Sequence, residues 1–168
     1  TPAIVAQQAF DRWLGDDTGG YYNAPLDTSE TLVVRERSYA DHATPSANGL
    51  AVANLVRLSL LTENLTYLDR AEQTLKAFTP VMGRSPQACP SLFAGLDWFE
   101  HSAIVKFSPF KPSQSSLVNF QSEYWPTIVF QESPNLPETI VGMVCSGFHC
   151  LAPAQSEAEL RQQLGTLN

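Results

Sequence analysis

The spacing of apolar residues changes near His101, and that change limits the folds open to this chain more than any other feature. Before it, apolar side chains recur at helical intervals. Ile4, Val5, Ala9, Phe10, Trp13 and Leu14 keep that interval after Pro2, a residue suited to a first helical turn. Gly15 to Gly20 then stops the helix with residues that favour turns and positive φ. Tyr21–Asn23 and Thr31–Arg35 are short and β-prone, and they predict a small hairpin; Ser38–Asn48 is a polar, irregular loop. A second helix is expected from about Ser46 to Leu61, with aliphatic residues on both sides. Thr66 and Asp69 resemble a capping box opening a third helix, carried by Leu68, Ala71, Leu75 and Phe78. The short link between these two predicts an antiparallel helical hairpin. Cys89–Phe99 predicts one more helix, with Leu92, Phe93, Leu96 and Phe99 on one face.

After His101 the apolar residues gather into short runs. Ala103–Phe107 reads as a buried strand, Pro112–Tyr124 as a weak amphipathic helix and Thr127–Phe130 as a second strand. Strand, helix and strand in that order imply a right-handed crossover and a parallel pair. Ile140–Val144 predicts a third strand, and Ser156 with Glu159 predicts a capped helix running to about Leu164. The expected fold class is therefore mainly α with an α+β tail. Residues 1–100 form helical hairpins, and residues 101–168 form a small β-α-β-β-α unit.

Charge and composition narrow the function. The 168 residues carry 10 Lys plus Arg against 17 Asp plus Glu, a formal net charge of −7. Nucleic-acid modules and polybasic membrane binders need clustered cations, so neither class of partner fits. With 43% apolar residues the chain can build a core without a disulfide framework. No apolar run reaches the length of a membrane span, and the residues at the start of the first helix do not read as a signal leader, so none is expected. Three cysteines make no even framework, which predicts a reducing compartment and a cytoplasmic location. The chain opens on Thr1 inside what reads as a helix, so the expectation is a piece of a longer parent.

The chemistry-bearing residues concentrate in two places. The first runs from Arg35 to Asn48, where Arg35, Asp41, His42, Ser46 and Asn48 supply a cation, a carboxylate, an imidazole, a hydroxyl and an amide. Such a set can hold a polyhydroxylated or carboxylate ligand, and Ser46 to Asn48 would sit at a helix N-terminus that favours oxygen-rich guests. The plainer reading has Ser46 capping the helix, Asp41 pairing with Arg35, and His42 facing solvent. Tyr21 and Tyr22, after the double glycine, are candidates to stack a sugar ring, whereas Trp13 and Trp98 sit at core spacing. The second place is Cys145 and Cys150, readable as structural thiols, as a redox pair, or as two ligands of a soft metal with His149. Cys89 reads as a small core residue. No catalytic set is complete: nothing selects a carboxylate pair, and His42 is the single histidine in the loop. No phosphate loop, nucleophile elbow or dinucleotide fingerprint occurs, so no cofactor and no metal is implied.

Three stretches carry a resemblance. Gly19-Gly20-Tyr21-Tyr22 leads into Leu32-Val33-Val34-Arg35; Asp41-His42-Ala43-Thr44-Pro45-Ser46-Ala47-Asn48-Gly49 runs into a helix; and Val144-Cys145-Ser146-Gly147-Phe148-His149-Cys150 stands near the end. Their order and spacing resemble the C-terminal region of the YyaL-like, thioredoxin-domain-containing family that includes the spermatogenesis-associated members. The resemblance implies a parent with a thioredoxin-like domain and an α/α toroid of the six-hairpin type, similar to N-acylglucosamine 2-epimerases and glycosidases. Residues 1–100 would be the last hairpins of that toroid, and the parent's other hairpins and thioredoxin-like domain would be the partners. Three functions follow as expectations. The chain serves as a scaffold and ligand-facing wall that is not catalytic alone. Alternatively, it lends Arg35, Asp41, His42 and Asn48 to the pocket of a carbohydrate-active enzyme for a sugar or small polar ligand. In the third, Cys145 and Cys150 form a thiol redox relay. The family's Pro-Ser-Gly-Asn stands here as Pro45-Ser46-Ala47-Asn48, with Gly49 one place later.

Overall fold

A computed structural model describes residues 1–25, 34–109, 120, 122–147 and 149–167. The chain is mainly α-helical with a small α/β tail, and it divides into two compact units, Thr1–Glu100 and His101–Asn168.

The first unit holds α1 (Pro2–Leu14), α2 (Ala47–Thr62), α3 (Leu65–Arg84), a 3-10 turn at Pro86–Ala88, and α4 (Pro90–His101). Ser46 caps α2, its hydroxyl accepting the Gly49 N–H. Glu63, in the left-handed conformation, ends α2, and Asn64 at once caps α3. Two linking residues force the helices to fold back on one another as a hairpin. The cap at Asn64 corrects the expected Thr66–Asp69 box. The Asn64 side chain takes the Thr66 N–H at 3.1 Å and its hydroxyl at 2.6 Å, so Thr66 lies inside the helix. Val52, Leu55 and Val56 of α2 and Ala71, Leu75 and Phe78 of α3 are buried. The buried residues of α4 are Leu92, Gly95 and Trp98, while Phe93 is exposed, contrary to the expected face. The reason is a close approach: a Cβ on Gly95 would lie 2.9 Å from the Val52 Cβ, so only glycine lets these helices meet there.

Of the hairpin expected over residues 21–35, residues 26–33 lie outside the described residues; the described part carries no strand, and the Asn23 N–H donates to the Glu36 carbonyl at 2.8 Å. Tyr21 pairs back with Gly15 in an isolated bridge, and the Tyr22 N–H donates to the Leu14 carbonyl at 2.8 Å.

The second unit holds β1 (Ala103–Phe107), β2 (Ile128–Glu132), β3 (Gly142–Ser146), β4 (His149–Cys150) and α5 (Glu157–Gly165). The strand order is β2-β1-β3-β4, with β1 parallel to β2 and antiparallel to β3. The parallel pair is as expected. β3 begins two residues later than expected because the Ile140 N–H closes a turn onto Pro137. Most of the helix expected over Pro112–Tyr124 lies outside the described residues. Val105, Phe107 and Val144 pack with Phe120, Leu160 and Leu164 in the core. Each fully buried leucine contributes about 1.5–3 kcal/mol. Ser156 caps α5 by accepting the Glu159 N–H at 3.2 Å, as expected, and Glu159 reaches back to the Gln155 N–H at 2.9 Å.

Candidate functional site

The residues singled out between Tyr21 and Asn48 fall into two groups: Tyr21, Asp41, Ser46 and Asn48, consumed by internal bonds, and Tyr22, Arg35 and His42, which are half-buried or exposed. Gly19 and Gly20 take φ of 100° and 86°, which glycine alone adopts without strain. A Cβ on Gly19 would lie 2.4 Å from the Gln73 carbonyl oxygen, so the turn also presses against α3. Asn48, 1% exposed, secures it. Its Oδ1 accepts the Tyr21 N–H at 2.7 Å, and its Nδ2 donates to the Tyr21 and Ser38 carbonyls at 3.0 and 2.8 Å. Thr74 accepts the Gly20 N–H at 3.2 Å.

Tyr21 is 3% exposed and stacks on Phe10, which corrects its assignment as a cavity-facing ring. Its hydroxyl donates to Asp11 at 2.7 Å, and Arg70 pairs with that carboxylate at 2.5 Å. Burial first, then the Asp11 hydrogen bond, raise the Tyr21 phenol well above its ordinary value. It stays protonated and serves as a donor.

Asp41 joins the starts of two helices. Its Oδ1 accepts the Ser46 N–H at 2.8 Å and the Ser91 hydroxyl at 2.6 Å, and its Oδ2 accepts the Ser91 N–H at 2.7 Å. Ser46 Oγ and Ser91 Oγ lie 2.9 Å apart. The Ser91 proton is committed to Asp41, so Ser46 donates to Ser91 while accepting from Gly49 at 3.2 Å. The result is one directed chain: Gly49 N–H, Ser46, Ser91, Asp41. Bonds in such a chain polarise one another, and both helix dipoles favour the carboxylate. Burial would raise the Asp41 carboxyl, but the bonds from Ser91 and Ser46 outweigh it and hold the group below the ordinary carboxylate value. Asp41 therefore acts as a fixed anion that caps both helices, and the expected pairing with Arg35 is replaced by this one.

Tyr22, Arg35 and His42 remain. Arg35 donates to the Ala24 carbonyl at 2.9 Å and lies over the Tyr22 ring at 4.0 Å. Arg37 lies 5.8 Å from the same ring and pairs with Asp16 at 3.4 Å. Asp16 is held at about 2, chiefly by the Tyr22 hydroxyl and then by the Thr18 N–H. His42 is exposed, and its N–H closes a turn onto Thr44. Trp13, expected in the core, is 42% exposed on an open groove of about 610 Å³ shared with Ala9, Phe10, Leu14, Asn23 and Pro25. Sequence reasoning missed Ser91, Thr74 and Asp11. Ser91 follows Pro90 at a helix start, but a bond to a residue 50 positions away leaves no trace in the local pattern.

In the second unit Cys145 and Cys150 are cross-strand partners joined by a disulfide, which replaces the reading as free structural thiols. Among the described residues, no group of three or more His, Cys, Asp or Glu is placed to hold a metal ion. Among the described residues, no helix is long and apolar enough to cross a membrane.

No protein-family model matches this chain. It is similar to spermatogenesis-associated protein 20, with 35% identity to the protein of Rattus norvegicus over 95 residues, 56% of this chain and 12% of that protein. Identity to the Homo sapiens protein is 32% over 95 residues, and to the Mus musculus protein 32% over 91 residues. The chain thus spans about 12% of the length of the curated relatives it matches.

Proposed function

We propose that this chain is a scaffold segment of a larger, thioredoxin-domain-containing helical protein of toroid type, and that it is not catalytic by itself. One observation carries the reading. The polar groups of Asn48, Ser46, Asp41 and Tyr21, which a pocket would need, are spent on bonds within the chain. Two facts support it. Val5, Trp13, Leu50, Leu61, Leu65 and Phe93 leave apolar side chains exposed on the helices, and a match over 95 residues that covers 12% of the relative fits a part within a whole. The remaining hairpins and thioredoxin-like domain of the parent are the proposed partners. The test assays the purified chain for sugar epimerisation and glycoside hydrolysis. No turnover is expected; turnover abolished by His42→Ala overturns the proposal.

A second reading rests on the open groove at Trp13. There the exposed indole offers a face to a sugar ring in a carbohydrate-active parent, with the exposed His42 and the half-buried Tyr22 and Arg35 in the same unit. Titration with sugars and sugar acids, read by tryptophan fluorescence, should give saturable binding that Trp13→Ala removes. The absence of binding by the full-length parent would sink this reading. A cytoplasmic location belongs to the same set of proposals and is tested by cell fractionation.

A further inference from the structure

Residues 149–154 run as a strap along the outer edge of β3. Ser146 faces His149, and Cys145 faces Cys150, in an antiparallel ladder. The Leu151 N–H donates to the Val144 carbonyl at 2.9 Å; at the far end the Ala154 N–H donates to Gly142 and its carbonyl accepts from Val141, both at 2.8 Å. Val144 and Leu151 share a ladder bond, so Cys145 and Cys150 occupy the neighbouring non-hydrogen-bonded site, where opposing Cα atoms come closest. Here they are 3.9 Å apart, with the sulfurs bonded.

The two ends of the strap are held differently. Ala154 is fully buried and bonded through both main-chain groups. The other end rests on a strand of two exposed residues and the disulfide. That bond closes a loop of only five positions, whose ends the ladder already brings together. It therefore constrains the unfolded chain less than a long-range crosslink, and its loss leaves the core intact. Cys150 is exposed whereas Cys145 is buried, so an incoming thiolate meets one sulfur before the other.

The geometry points to a redox latch: Cys145–Cys150 is an exchangeable disulfide, and its reduction by a dithiol frees residues 149–151 from β3 while Ala154 stays anchored. This goes beyond the scaffold reading and does not depend on it. A thiolate of the dithiol attacks Sγ of Cys150, the S–S bond breaks, and Cys145 leaves as a thiolate that takes a proton from water. The second thiol of the reductant then attacks the mixed disulfide and expels Cys150. The reductant departs as its own disulfide, having passed two electrons to the pair. Cys89 takes no part; it is buried in the first unit.

The test equilibrates the oxidised chain in thiol–disulfide buffers of rising dithiothreitol content. Thiols are trapped by alkylation and read by mass spectrometry, and amide hydrogen exchange is measured at both end points. The expected result is one two-electron transition confined to Cys145 and Cys150 under native conditions. Exchange at Leu151, whose N–H is the strap's bond to Val144, should rise about tenfold or more, with the β1 amides unchanged. Cys150→Ser, at the exposed partner, should give the fast exchange without reductant. Three outcomes overturn the proposal: a pair that stays reduced in every buffer, reduction that occurs only together with loss of β1 protection, or strap exchange that is equal in both states.

Discussion

Asn48 engages both main-chain polar groups of Tyr21, accepting its N–H at 2.7 Å and donating to its carbonyl at 3.0 Å. A side-chain amide carries a donor and an acceptor side by side in one plane, and it mimics the edge of a neighbouring strand. Asn48→Ala leaves a buried N–H and two carbonyls without partners, so a loss of about 2–5 kcal/mol is expected in urea unfolding. Asn48→Asp keeps the shape and the acceptor but loses both donated bonds. It should be destabilised as well, which separates hydrogen bonding from packing.

Gly49 is expected to tolerate no side chain. A Cβ there would lie 2.1 Å from the Ser91 hydroxyl oxygen and 2.6 Å from the Ser91 carbonyl carbon. Gly49→Ala must push α2 away from Ser91 and break the Asp41 network, at a cost of about 2–4 kcal/mol. Ala47→Gly at the first helical position should cost about 1 kcal/mol or less. Thermal unfolding of the two variants side by side checks the contrast, and equal losses would contradict the close approach.

Stability should fall at both ends of the pH scale for different reasons. Asp16, at about 2, and Asp41 are both depressed, so their contribution is complete above the ordinary carboxylate range of about 4. It drains away as pH falls through their folded values. Tyr21 is raised, first by burial and then by Asp11. Its contribution is whole below the ordinary tyrosine value of about 10 and is lost as pH rises above that. Denaturation midpoints measured across pH should show Asp16→Asn flattening the acid limb and Tyr21→Phe flattening the alkaline limb.

Cys89 should resist alkylation in the folded chain. It is fully buried, and burial together with the Asp41 charge raises its thiol above the ordinary value. Iodoacetamide labelling should track global unfolding, and fast labelling in native buffer would show that the start of α4 opens locally.

Much of the fold was legible because it follows from local periodicity. The helical intervals after Pro2 and Leu50, the apolar run Ala103–Phe107 and the Ser156 cap each act within a few residues. The site was less so. Tyr21 and Asn48 stood out as polar or aromatic residues in a glycine-rich and capped context, yet their partners lie 27 positions apart. Pattern located them but not their role: a buried tyrosine and a cavity-facing one look alike until Phe10, Asp11 and Arg70 close around it. The departure at Ala47 shows the same limit. It opens α2 with no positive φ, and the glycine needed for close contact stands two positions on, at Gly49, for a reason that resides in Ser91.

The turn at Gly19–Tyr21 takes its bonds from Asn48 on α2 and Thr74 on α3. Those partners are in place only after the α2–α3 hairpin has docked. The order of assembly expected from this is the hairpin first, closed by two linking residues, with α1 and its turn laid on afterwards. Nucleation of this kind puts Asn48 among the late contacts. Its loss should therefore leave the refolding rate nearly unchanged and appear instead as faster unfolding.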